Sequence, residues 1–479
     1  MPADPATSTT AAHLSQPSSA GDRRTGRRLS RVELDRPAAP IRLVHLGVGN
    51  FFRAHQAWYT AHAPDAADWG IAAFTGRSGS LSTMPAEQDG LYTLLVRGPH
   101  NTDLEVVGSL SATHAGDDVD ALCGYLATPE VAAVTLTITE AGYHRGESGG
   151  LDDQVHEVRD DVAVLSGEQP GDPVTVPGRL VLGLAARRDA GAGPIAVVPC
   201  DNVPGNGAMT RRVVTELAQR VDPQRAAWID EQVSFVSTMV DRITPRATDD
   251  DVREVRERTG VDDPAVVVTE PFTEWVLSGD FPRDRPAWHA AGARFVDDVH
   301  PFETRKLWLL NGTHSLMAYA GSILGHKTVA DAVADPEVFA WVEEWWGDAS
   351  RYLTLPAEEV DAYRQALFER FLNPNIRHLL AQIAADGSQK VPIRVLPALR
   401  AARADGLLPS GATRLIAAWV VHLRGHGAPV NDVQWQELMP LVSGSLAESV
   451  SAVLGWLGVD DLEVTALVER HAEDLETRA

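Results

Sequence analysis

Residues 41–60 read IRLVHLGVGNFFRAHQAWYT. The apolar run ending at Leu46 predicts a strand, Gly47 and Gly49 predict a tight turn, and the segment from Phe52 predicts a helix. Such a unit brings backbone amides and the positive end of a helix to one point, the arrangement a pyrophosphate needs. Phe52 stands where the usual fingerprint has a third glycine, so an ordinary strand-to-helix turn accounts for the same residues.

Working outward, Trp69–Thr75 predicts a second strand. Sites that prefer NAD usually place an acidic residue after this strand to bind the ribose hydroxyls. Here GRSGS follows, with Arg77 and Ser78. Arg77 reads either as a solvated loop charge or as a receiver of a 2′-phosphate, which would favour NADP. Leu104–Ser111 and Val131–Thr139 predict further strands, and Glu140–His144 gathers polar residues just after the second of these. Residues 145–178 predict a surface excursion, and Arg179–Arg188 a helix leading to the strand Pro194–Pro199. CDNVPGNG follows, so Asp201, Asn202, Asn206 and Gly207 are either turn formers or ligand contacts. After a helix over Ala208–Arg220, FVSTMVDRITP predicts a strand that ends in Asp241 and Arg242, an adjacent pair whose plainest reading is a local ion pair.

Beyond about residue 288 the periodicity is almost entirely helical, most clearly over 337–353, 357–371, 376–385, 412–423 and 446–457. The fold class expected is an α/β Rossmann-like dinucleotide-binding domain over 41–288, followed by a mainly α-helical domain over 289–479. Near that junction lies FETRKLWLLNGTHSL, residues 302–316. As a regular α-helix it places Asn311 about 140° and His314 about 80° around the axis from Lys306, so all three share one half of the helix surface, spread over about two turns. A lysine in an apolar setting is a usable general base, with an amide and an imidazole beside it to hold substrate oxygens. A core helix with a snorkelling lysine accounts for the same pattern.

The formal net charge of −24 over 479 residues argues against nucleic acid or an anionic membrane as the main partner. Cys123 and Cys200 are the two cysteines, which gives no disulfide framework and no thiolate zinc cluster, and fits a reducing, cytoplasmic setting. No apolar run reaches the length of a membrane span. Residues 1–40 are rich in Ala, Ser, Thr, Pro and Arg and predict a disordered extension whose removal through residue 38 leaves stability and turnover unchanged.

Taken together, GVGNFFRAHQ, TLTITEAGYH, CDNVPGNG, FVSTMVDRITP, EPFTEWV, KLWLLNGTHS and DGSQKVP resemble the mannitol dehydrogenase family of polyol-specific long-chain dehydrogenases. The resemblance implies a metal-independent, NAD(P)-linked oxidoreductase, NAD being expected and NADP possible. It implies Lys306 as general base, Asn202 and Asn311 as the oxygen-binding pair, and His314 and Asp241 as substrate contacts. Glu303 would exchange protons with water. The coenzyme contacts expected are Gly47, Gly49, Asn50, Phe51, Phe52, Arg53, Arg77 and Thr139, Arg77 being a departure from the usual acidic residue that leaves NAD against NADP open. Interconversion of D-mannitol and D-fructose is the first expectation, a hexuronate such as fructuronate the second, and D-arabinitol the third. For a hexuronate, Lys390 and Arg394 are the candidate partners of the carboxylate. A monomer is implied. A non-catalytic dinucleotide-binding sensor would keep the glycine turn without needing Lys306, Asn202 and Asn311 together.

Overall fold

The computed structural model describes residues 26–76, 87–146 and 148–479. The chain forms two compact units, one ending at Val299 and one running from His300 to Ala479.

Six parallel strands form the centre of the first unit. They are β1 (Ile41–Leu46), β2 (Gly70–Phe74), β3 (Leu110–His114), β4 (Ala133–Leu136), β5 (Ile195–Pro199) and β6 (Val233–Phe235). Their order across the sheet is β3-β2-β1-β4-β5-β6, the doubly wound order of dinucleotide-binding domains. Successive β1 side chains point to opposite faces. Val44 and Leu46 join a core with Leu136, Val197 and the helix Val176–Asp189, while Leu43 joins another with Phe52, Tyr92 and Trp275. Burial on both faces explains why these strands read as apolar runs rather than alternating ones.

Two of the expected strands divide. Leu104–Ser111 ends one strand at Val107 and begins β3 at Leu110, in a different sheet. Apolar residues resume at Leu110 after only Gly108 and Ser109, so the two strands read as one. Thr102–Val107 pairs antiparallel with Tyr92–Arg97, so a hairpin stands between β2 and β3. FVSTMVDRITP likewise supplies the end of β6 and then Ser237–Asp241, which pairs antiparallel with Glu274–Ser278. Arg294–Phe295 pairs with that last strand, which draws residues beyond 288 into the first unit.

Residues 26–40 do not behave as the loose tail their composition predicts. Leu29 is buried with Leu91, Val106 and Val261. Arg31 opens a short helical turn, Arg31–Leu34, and donates to the carbonyls of Asp89 (2.8 Å), Gly108 (2.8 Å) and Leu110 (2.7 Å). One arginine with this many main-chain acceptors orders a segment that lacks an apolar pattern.

The second unit is helical, with Pro336–Ser350, Ala357–Phe371, Ser410–Leu423, Leu446–Trp456 and Leu462–Glu476 among its longer helices. Ser410–Leu423 is the central one, buried from Gly411 to Leu423 except at Arg414. The helix expected over 376–385 shrinks to Leu380–Ile383. Val329 N–H donates to His378 O and Leu380 N–H to Lys327 O, each at 3.0 Å, and these bonds hold the preceding residues extended. Among the described residues no helix is long and apolar enough to cross a membrane.

Candidate active site

At the end of β1 the chain turns through Gly47, whose φ is 107°. A Cβ there would lie 2.1 Å from the carbonyl oxygen of Thr137, so both the conformation and the space require glycine. The amides of Gly47 and Val48 donate to Phe74 O (2.9 and 3.1 Å), which ties the turn to β2. Gly49 is extended, and a Cβ there would meet nothing nearer than 3.9 Å. Its use is to leave the start of the helix Asn50–Ala54 bare, where the first amides lack helical acceptors.

The side chains after the turn are mostly turned inward. Phe52 is fully buried and stacks on His45, with ring centroids 3.4 Å apart and an interplanar angle of 6°. An aromatic pair therefore fills the space beneath the missing third glycine. Arg53 is buried and donates to Ala265 O (2.6 Å), Asn50 Oδ1 (2.8 Å) and Gly49 O (3.3 Å). Expected among the coenzyme contacts, its guanidinium instead braces the turn from within. Phe51 stacks on His55 and is half-buried. Arg77 lies outside the described residues.

The carboxyl ends of β4 and β5 flank β1. Thr137 Oγ1 donates to Gly47 O (2.7 Å), and Thr139 is exposed just before the short turn Glu140–Tyr143. The Tyr143 hydroxyl donates to the Asp201 carboxylate, whose pKa burial raises. Asn202, next in sequence, is exposed. Asn206 is fully buried and bonds both ways to the backbone of Thr238, at 2.9 and 3.0 Å. It is therefore a latch between the loop after β5 and the strand ending at Asp241. Asp241 is 4 % exposed. Arg242, whose plainest sequence reading is a local ion pair, reaches main-chain acceptors outside its own segment. Its guanidinium donates to the carbonyls of Ala54 and Glu270, and burial lowers its pKa to about 10.

In the second unit Lys306 stands on a helix unbroken from His300 to Gly321, but the winding is not uniform. Lys306–Gly312 and Met317–Gly321 are π turns, with α turns before and between them. A regular α-helix would splay Lys306 and Asn311 by about 140°. A π turn bonds residue i to i+5, so it stacks this pair on one face instead. Lys306 and Asn311 are part-exposed, and His314 is 6 % exposed, with its ring against those of Phe371 and His378. Glu303 precedes Lys306 by one turn and lies 3.9 Å from His300. A half-exposed amine above an amide on one face is an arrangement that can take a proton from a hydroxyl and donate to the oxygen left behind.

The two cations considered for a carboxylate are directed elsewhere. Lys390 Nζ donates to the carbonyls of Ile383 and Ala385, and burial, then nearby Arg394, lowers its pKa. Arg394 Nη1 donates to Asn311 O (3.1 Å) and Ser315 Oγ (3.0 Å). Periodicity also missed Trp345 and Trp346, whose indoles donate to Trp308 O (2.9 Å) and Leu309 O (3.1 Å). Tryptophans on an apolar helix carry no sign of their acceptors, so no sequence signal could have found them.

Residues 41–290 match the mannitol dehydrogenase Rossmann domain, and residues 298–478 the mannitol dehydrogenase C-terminal domain. This chain belongs to the mannitol dehydrogenase family. As a mannitol dehydrogenase family member it is an oxidoreductase acting on CH–OH. It is 37% identical over 461 residues to the D-mannonate oxidoreductase of Escherichia coli K12, covering 91% of this chain and 93% of that one. It is 35% identical over 427 residues to the mannitol 2-dehydrogenase of Cereibacter sphaeroides, covering 86% and 88%. The solved Pseudomonas fluorescens mannitol 2-dehydrogenase, a ternary complex with NAD and D-mannitol, is similar at 33% identity and a TM-score of 0.76, covering 94% of each chain.

Proposed function

We propose that this family member is a NAD-dependent dehydrogenase that interconverts D-mannitol and D-fructose, with Lys306 as the acid–base group. The observation that carries the chemistry is the π turn that sets Lys306 and Asn311 on one helix face. The Gly47 turn and the bare first turn of Asn50–Ala54 fit a dinucleotide. Gly47, Gly49, Asn50, Phe51 and Thr139 would hold it there, with Phe52 and Arg53 shaping the turn from behind. When bound, NAD would supply the acceptor for the hydride of the carbinol carbon. Lys306, as the free amine, takes the hydroxyl proton, and the Asn311 amide donates to the oxygen as charge gathers on it. Glu303 passes the proton to water. In ketone reduction Lys306 is the acid. Asn202 as a second amide donor, and Asp241 and His314 as substrate contacts, rest on the family resemblance.

A neutral polyol is favoured over a sugar acid because Lys390 and Arg394 already donate to acceptors of the protein. The 37% identical D-mannonate oxidoreductase favours the second reading, a hexuronate. Purified protein assayed with D-mannitol and D-mannonate, and in reverse with fructose and fructuronate, separates the two. A preference for the acid by more than about tenfold, or about 1.4 kcal/mol, overturns the first reading. Lys306→Ala should lose about 10²–10⁴ in turnover with NAD affinity kept. Undiminished turnover with hydride transfer rate-limiting would remove Lys306 as the base.

A further inference from the structure

A π turn carries an extra residue, so where the winding returns to α some main-chain groups lose their helical partners and must find others. Between Lys306 and Gly312 three carbonyls receive side-chain donors from the rest of the unit. Trp345 donates to Trp308 O, Trp346 to Leu309 O and Arg394 to Asn311 O. The two tryptophans are core residues, 0% and 1% exposed. Arg394 differs from them. It is a cation at the end of the helix Gly387–Arg394, and one of its nitrogens bridges Asn311 O and Ser315 Oγ across the return from π to α winding.

We infer that Arg394 is a positioning residue that clamps the π turn at Asn311, holding the Asn311 amide in register with the Lys306 amine. The inference rests on the reading of Lys306 and Asn311 as the acid–base group and its oxygen donor. It gives Arg394 a role independent of the substrate's charge, because its contacts are with the helix. Two charge-assisted bonds are stronger than neutral ones and fix direction as well as distance. A displacement of about 1 Å at a reacting group costs up to about 10²-fold in rate.

The test uses Arg394→Gln and Arg394→Lys in the full-length protein, with steady-state kinetics on D-mannitol and D-mannonate and hydrogen exchange over residues 306–316. For Arg394→Gln, kcat should fall about 10- to 100-fold by the same factor on both substrates. KM for NAD should hold, and exchange should quicken at 306–316 before it does elsewhere. Arg394→Lys should recover part of the loss, because an ammonium can still donate to one of the two acceptors. Ser315→Ala removes a single contact and should give a smaller loss of the same kind, which keeps the test decisive if Arg394→Gln folds poorly. A defect confined to the acid substrate and seen in KM would make Arg394 a carboxylate reader and overturn the inference. Wild-type kcat with unchanged exchange would overturn it as well. Exchange reads the grip on the turn whether or not Lys306 proves to be the base, so the two readings fail separately.

Discussion

His45 sits in β1 with no exposed surface, its ring nitrogens 2.8 Å from Thr135 Oγ1 and 2.9 Å from Thr137 Oγ1. The Thr137 hydroxyl already donates to Gly47 O, so Nε2–H of His45 must donate to it, and Nδ1 accepts from Thr135. This assigns the neutral tautomer. Burial pulls the pKa down to about 3 from an ordinary 6.5. Because the folded value lies below the unfolded one, the unfolded chain binds the proton first as pH falls through 6.5. Stability is therefore full above pH 6.5 and is lost progressively down to about pH 3. Between pH 7 and 4.5 this one histidine should cost about 2–3 kcal/mol, measurable by urea unfolding at the two values. His45→Gln should flatten that dependence, and an unchanged slope would show that His45 does not govern it. Gly47→Ala meets the Thr137 carbonyl and should weaken NAD binding and stability together; tight binding by this variant would contradict the turn's role.

At the scale of elements, the Lys306 helix shows how packing overrides an ideal period. A Cβ on Gly312 would lie 2.7 Å from the Trp345 ring, and that ring is fully buried and cannot retreat. Gly312→Ala should therefore break the Trp345–Trp308 bond and cost about 1–3 kcal/mol, the usual scale of overpacking. Thermal melts and near-ultraviolet dichroism of the tryptophans would register it. Native melting and turnover in this variant would mean the π turn does not depend on that contact. The helix Ser410–Leu423 was legible from its apolar run because burial surrounds it. The strand ends at Val107 and Phe235 were not, because apolar residues resume shortly after each break.

At the scale of the molecule, residues 26–40 are part of the first unit and not a solvated tail. Truncation through residue 38 exposes Leu91 and Val106 and leaves the Gly108 and Leu110 carbonyls without Arg31. Losing one buried leucine and its charged bonds should cost about 3–6 kcal/mol. The melting temperature should drop by several degrees against a chain cut after residue 25. Equal melting of the two truncations would show that the segment adds nothing.

Local chemistry was readable without a structure. A glycine at 47, between an apolar strand and a helix, announces a backbone that L side chains resist, and its φ of 107° agrees. The apolar run ending at Leu46 foretold a strand, and Lys306, Asn311 and His314 were visible as polar residues on an apolar helix. Their geometry was not. How closely Lys306 and Asn311 stack depends on the π winding, and donors 37 and 83 residues away satisfy its carbonyls. The same holds for Arg53, a cation whose acceptor at Ala265 lies 212 residues away. A sequence names the donors in a chain; only the tertiary structure decides which acceptors they meet.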